Sequence, residues 1–96
     1  MEFKGTPAPW DVDDCGHYYD IIRKGNNSLG YMELLDSKKF GKEISAANAH
    51  LIASAPELLE ALIEMQRNGR KQGWDDKYKS SMEKTRLAIA KALDQQ

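Results

Sequence analysis

The sequence predicts an α+β fold in which a small antiparallel N-terminal sheet of about three strands packs on a C-terminal helical hairpin. Two observations lead there. Aromatic and β-branched residues gather in short runs before residue 36, broken by Gly, Asn and Pro. From Glu43 onward the composition turns to alanine and leucine at helical spacing. Ninety-six residues suffice for one domain, 1–96, with the sheet in 1–36 and the helices in 43–96.

The elements follow in order. Trp10-Asp11-Val12 comes after Pro7 and Pro9, which hold the residues before them extended and suit a short edge strand. His17 to Arg23 is a second strand, with His17, Tyr19 and Ile21 on one face and Tyr18, Asp20 and Ile22 on the other. Neither face is wholly polar, so both are expected to be covered, one by helices and the other by a partner or a copy of the same chain. Lys24-Gly25-Asn26-Asn27-Ser28 reads as a hairpin turn, and Leu29 to Leu35 resumes a strand. Asp36 to Gly41 is a polar loop leading out of the sheet.

Ile44, Ala47 and Leu51, joined by Asn48, mark the inward side of a first helix over Ile44–Ala53. Ser54-Ala55-Pro56-Glu57 has the form of a capping box with proline in the first turn, so a fresh helix is expected to start at Ser54 after a break or kink. Its inward stripe is Leu58, Leu59, Leu62, Ile63 and Met65, and Asn68-Gly69 closes it. Gly73-Trp74-Asp75 opens the last helix, capped by Asp75, with Tyr78, Met82, Thr85, Ile89 and Leu93 at core spacing. Asp94-Gln95-Gln96 is expected to fray.

Charge narrows the function classes. Fourteen basic and fifteen acidic residues leave a net charge of −1. Direct nucleic-acid binding is not expected, because phosphate neutralisation needs a basic excess; a DNA mimic would need the opposite excess. The lone Cys15 allows no internal disulfide and fits a reducing cytoplasm. The start carries no apolar run of signal-peptide length, and no stretch is long and apolar enough to span a membrane. The cytoplasm of whatever cell makes it is the expected compartment, no membrane is expected as partner, and the modest core makes a homo-oligomer the expected state.

Catalysis finds no constellation. Asp11, Asp13, Asp14 and His17 are the most chemistry-like group, yet Asp-x-Asp-Asp lacks the glycine and distal glutamate of a calcium loop and reads as a solvated turn. His50 has Ala46 and Ser54 where a second ligand would stand, so no metal site is assigned. Cys15 has acidic neighbours that disfavour a thiolate. There is no nucleophile elbow and no phosphate-cradling glycine loop. No catalytic residue, metal or cofactor is therefore assigned. Six aromatics remain as a lead: Trp10, Tyr18, Tyr19, Tyr31, Trp74 and Tyr78. Exposed aromatics beside arginine anchor interfaces and stack on nucleobases. The candidate ligand or partner residues are Trp10, Tyr18, Tyr31, Arg23, His50 and Arg67.

Thr6-Pro7-Ala8-Pro9-Trp10 and the run from Ala47 through Ala53-Ser54-Ala55-Pro56-Glu57 to Leu62 resemble a group of small phage and prophage accessory proteins of undefined function. Members open with Thr-Pro-Gly-Pro-Trp and carry an Asn-Ala-Arg-Leu-Ile-Ala-Ala-Ala-Pro-Glu-Leu-Leu-Glu-Ala-Leu helix. This chain departs from them at Ala8, His50 and Ser54, where they have glycine, arginine and alanine. The resemblance implies an accessory gene of a bacterial virus, expressed in the cytoplasm of the bacterial host cell. Small phage accessory proteins often inhibit host defence by stoichiometric binding. The expected function is therefore a non-enzymatic counter-defence protein that blocks a host immune component. It would act either as an anti-CRISPR-type protein inhibitor or as a sponge for a defence nucleotide signal. The alternative is a structural or regulatory phage protein that binds a phage partner through its helices.

Overall fold

A computed structural model of the chain describes residues 3–23 and 27–93. Of the hairpin turn expected over Lys24–Ser28, residues 24–26 lie outside them and Asn27 and Ser28 belong to the third strand; the fraying expected of Asp94–Gln96 also lies outside them. Strands β1 (Trp10–Asp14), β2 (Tyr19–Arg23) and β3 (Asn27–Gly30) precede helices α1 (Ser37–Phe40), α2 (Lys42–Lys71), α3 (Trp74–Lys77) and α4 (Lys79–Ala92). The α+β class and the antiparallel N-terminal sheet are thus as expected. The chain divides into two compact units: Thr6–Glu57, and Met1–Gly5 with Leu58–Gln96.

In the first unit the three strands form an antiparallel meander in the order β1-β2-β3. Trp10, Val12 and Asp14 pair with Arg23, Ile21 and Tyr19, so these residues share one face. That face is covered. Tyr19, Ile21, Leu35, Ala49 and Ala53 form the core, with Trp10, Val12, Ala46 and Ile52 packed against it. The opposite face, where a partner or second copy was expected, keeps Tyr18 exposed and Asp20 and Ile22 half-buried within this chain.

The strand expected over Leu29–Leu35 ends at Gly30, and Glu33–Leu35 makes a 3-10 turn that drives Leu35 into the core. The expected polar loop at Asp36–Gly41 is instead a single helical turn. Asp36 caps it by accepting from the Lys38 amide at 2.9 Å, and Gly41 (φ 82°) reverses the chain straight into α2.

The largest correction concerns α2, which runs unbroken from Lys42 to Lys71 with Pro56 inside it. Ser54 is exposed and starts nothing. An interior proline costs about 3 kcal/mol, and here it is buried, as is Ala53, so packing offsets the lost hydrogen bond. The inward face is also turned by one residue from the expected one. Ser45, Ala49 and Ala53 point in, while Ile44 and Leu51 are 56% and 64% exposed. The sheet already presents large side chains, so the helix must approach with small ones. Ser45 is fully buried and satisfied, its hydroxyl donating to the Gly41 carbonyl at 2.8 Å beside the Ser37 hydroxyl at 3.1 Å. Asn48 donates to the Leu34 carbonyl at 3.0 Å, tying the helix to the 3-10 turn.

In the second unit Leu59, Gln66, Gly69, Met82 and Ile89 are buried, while Leu58, Leu62 and Met65 of the expected stripe are exposed. Asn68-Gly69 does not end α2. A Cβ at Gly69 would lie 2.6 Å from Trp74 Cε3 and 3.2 Å from Met82 Sδ, so this glycine permits close packing inside the helix. Termination falls to Gly73 (φ 76°), which also precedes α3 in place of the expected Asp75 cap. Of the last helix's expected stripe, Met82 and Ile89 are buried, Thr85 and Leu93 half-buried, and Tyr78 exposed.

Two substitutions test this packing. Ala49→Leu overfills the sheet–helix contact and is expected to cost about 1–3 kcal/mol in urea unfolding, against under about 0.5 kcal/mol for Leu51→Ala. Gly69→Ala normally stabilises a helix interior by about 1 kcal/mol. Here it should lower the melting temperature, and a rise would contradict the Trp74 and Met82 contacts.

Candidate functional site

The first unit carries a recessed surface on the uncovered face of its sheet. Tyr18 is held there by the turn before β2. The Cys15 amide donates to the Tyr18 carbonyl at 3.0 Å, Gly16 supplies φ 90°, and Tyr18 bridges to Asp36. Tyr31 follows β3 and meets Tyr18 edge to face, with ring centroids 4.9 Å apart and planes at 80°. The rings are 38% and 51% exposed. Together with Asp20 and Ser28 they line a cavity of about 440 Å³. Ser28 donates to Asp20 Oδ1 at 2.9 Å, which fixes that carboxylate beside the tyrosines.

The electrostatics are acidic. Interaction with the Cys15 side chain is the largest cause raising the Tyr18 phenol above its ordinary value; the Cys15 charge, partial desolvation, Asp20 and Asp13 add to it. Partial desolvation raises Tyr31, reinforced by a hydrogen bond and the charge of Asp36 and by Glu33, with Lys39 opposing. Lys39 is itself paired with Glu33. Electron-rich ring faces beside a fixed carboxylate make a seat for a guanidinium or ammonium group.

The other candidates lie elsewhere. Trp10 packs against the core and donates from Nε1 to the Thr6 carbonyl at 3.2 Å. Arg23 is exposed at the end of β2, by strand alternation on the face opposite Tyr18. His50 is exposed on α2, and Arg67 belongs to the second unit. Only Tyr18 and Tyr31 meet. Asp20 and Ser28 were missed, although Asp20 alternates with Tyr18 on one strand face and that signal was there to read.

The acidic run makes local bonds. Asp11 accepts from the Val12 amide at 2.8 Å, Asp14 accepts from the Gly16 amide at 3.0 Å and pairs with Lys42 at 3.7 Å, and Cys15 Sγ lies 3.7 Å from Asp13 Oδ2. Among the described residues, no three His, Cys, Asp or Glu side chains converge as metal ligands.

The family model described as Salmonella phage P22 protein Y8K6 matches residues 1–96. The chain belongs to that family. The chain is thus a small phage-encoded protein, which is the coarser part of what the resemblance implied. No curated protein and no solved structure matches it significantly. Among the described residues, no helix is long and apolar enough to cross a membrane.

The raised phenols give a linkage with a definite sign. A tyrosine whose folded pKa is raised is favoured in its neutral form. Its contribution is fully present below the unfolded value near 10 and is lost as pH rises through the folded values. Absorbance titration of Tyr18→Phe and Tyr31→Phe against the parent chain should assign two late-ionising phenols. Ionisation of either at or below the free-tyrosine midpoint would contradict the acidic frame.

Proposed function

We propose that this phage protein is a non-enzymatic counter-defence factor that binds and blocks a host immune protein through the Tyr18–Tyr31 surface. The observation that carries the reading is the exposed tyrosine pair beside the fixed Asp20 carboxylate. Tyrosines so placed are typical anchors of protein interfaces, and the acidic frame selects a cationic partner surface. Defence proteins that grip nucleic acid carry such surfaces to neutralise phosphate. An anti-CRISPR-type inhibitor occupying one would need no catalytic group. A nucleotide sponge at the same place is less well supported, because no arginine joins the two tyrosines and the neighbouring carboxylates repel phosphate.

A second reading has an observation of its own. Leu62, Met65, Trp74, Tyr78 and Met82 help line an apolar cavity of about 430 Å³ in the helical unit, which favours a structural or regulatory role with a phage partner.

Phage plating on hosts carrying defined defence systems separates the two. Expression of the chain is expected to restore plating on a susceptible host. Tyr18→Ala and Asp20→Lys should each abolish that rescue and weaken binding to the purified effector at least about 30-fold, the scale of losing an interface anchor. If the chain restores plating on no host and copurifies with phage proteins through Met65 and Tyr78, the helical reading replaces the first.

A further inference from the structure

The helical unit holds a cavity of about 380 Å³ lined by Ile63, Gln66, Arg67, Arg70, Lys71, Arg86 and Ile89. Its charge is opposite to that of the tyrosine surface. Arg67, Arg70 and Lys71 come from the last turns of α2, Arg86 comes from α4, and among the described residues no carboxylate lines the wall. Cations near a helix C-terminus interact favourably with its dipole, which accounts for Arg70 and Lys71. It does not account for Arg86, on another helix, or for what lies between them.

Gln66 is only 7% exposed and lines both this cavity and the apolar one beside Trp74 and Tyr78, and its Oε1 is buried without a hydrogen-bond partner. Buried amide oxygens are nearly always satisfied, so an orphan in a cavity wall points to a missing donor. Ile63 and the almost fully buried Ile89 supply apolar wall beside it. Arg86 is oriented by bidentate bonds to Glu83 at 2.5 and 3.2 Å. Among the described residues, Arg67, Arg70 and Lys71 make no ion pair within 4.0 Å.

We propose that this cavity is a binding site for a nucleoside monophosphate. Arg67, Arg70 and Lys71 hold the phosphate, the base lies against Ile63 and Ile89, and an amino group of the base donates to Gln66 Oε1. The volume falls in the lower part of the range of small-ligand cavities, about 300–1,000 Å³. Adenine, with its exocyclic amino group, meets the donor requirement. The inference is independent of the tyrosine surface, which lies in the other unit.

The test is titration of the full-length chain with adenosine 5′-monophosphate, adenosine, ribose 5-phosphate and inorganic phosphate, by calorimetry and by the side-chain amide resonances of Gln66. The nucleotide is expected to bind at least about tenfold tighter than each of the other three and to shift the Gln66 amide signals in the parent chain. Arg67→Ala with Arg70→Ala should weaken it at least about tenfold, and Tyr18→Ala should leave it unchanged. Gln66→Met should reduce nucleotide binding while leaving ribose 5-phosphate unaffected, with thermal unfolding confirming that the variants fold. Phosphate binding as tightly as the nucleotide, unmoved Gln66 signals, or affinity that survives loss of both arginines would each overturn the proposal.

Discussion

The sheet unit depends on one steric fact: the first half of α2 enters the sheet core through Ala49 and Ala53, not through its leucines. Tyr19, Ile21 and Leu35 fill the space on the other side of that contact, with Trp10 and Val12 at its margin. The large side chains come mainly from the sheet and the 3-10 turn, and the hydroxyl of Ser45 is spent on Gly41, Lys42 and Ser37. The same contact fixes which sheet face is left open. Once Tyr19 and Ile21 are inside, strand alternation must put Tyr18 and Asp20 outside, and the candidate surface is a consequence of the core.

Much of this was legible in the sequence and some was not, for physical reasons. The strands at Trp10 and Tyr19 were readable because aromatic and β-branched residues alternate there. The class of the C-terminal half was readable from its period. The inward face of α2 was not. Apolar size normally marks the buried side of a helix, but Ile44 and Leu51 face solvent while alanines face the core. Pro56 misled in the same direction, since a local start signal competes with burial and lost to it. Gly69 and Gly73 exchanged roles because only the packing of Trp74 and Met82 shows which glycine is needed for closeness and which for a positive φ. At the site, Tyr18 and Asp20 share a readable strand face, whereas Tyr31 and Asp36 arrive through turns whose geometry local composition does not specify.

The near-zero net charge concealed a division of charge within the chain. Composition alone argues against direct nucleic-acid binding, and in the sheet unit the local charge points the same way. Asp13, Asp20, Asp36 and Glu33 all act on the two tyrosines in the direction that opposes phenolate, and the same field would oppose phosphate. The helical unit is different, because its cations converge from two helices on one cavity. Averaging over a chain of this length removes the information that matters for binding, which is local potential rather than total charge.

Gln66 carries this argument furthest. A buried carbonyl oxygen without a donor costs about 1–3 kcal/mol, and a leucine or methionine on the same helical face would avoid that cost. Stability alone therefore gives no reason for glutamine at this position, and neither does helix propensity, in which the three residues differ little. The rest of the helical core is conventional: Leu59, Met82 and Ile89 are buried and apolar. A fold that satisfies Ser45 with three partners in one unit breaks a local rule in the other at Gln66 Oε1, the one buried side-chain polar atom without a partner among the described residues. Such breaks concentrate where a protein meets something outside itself.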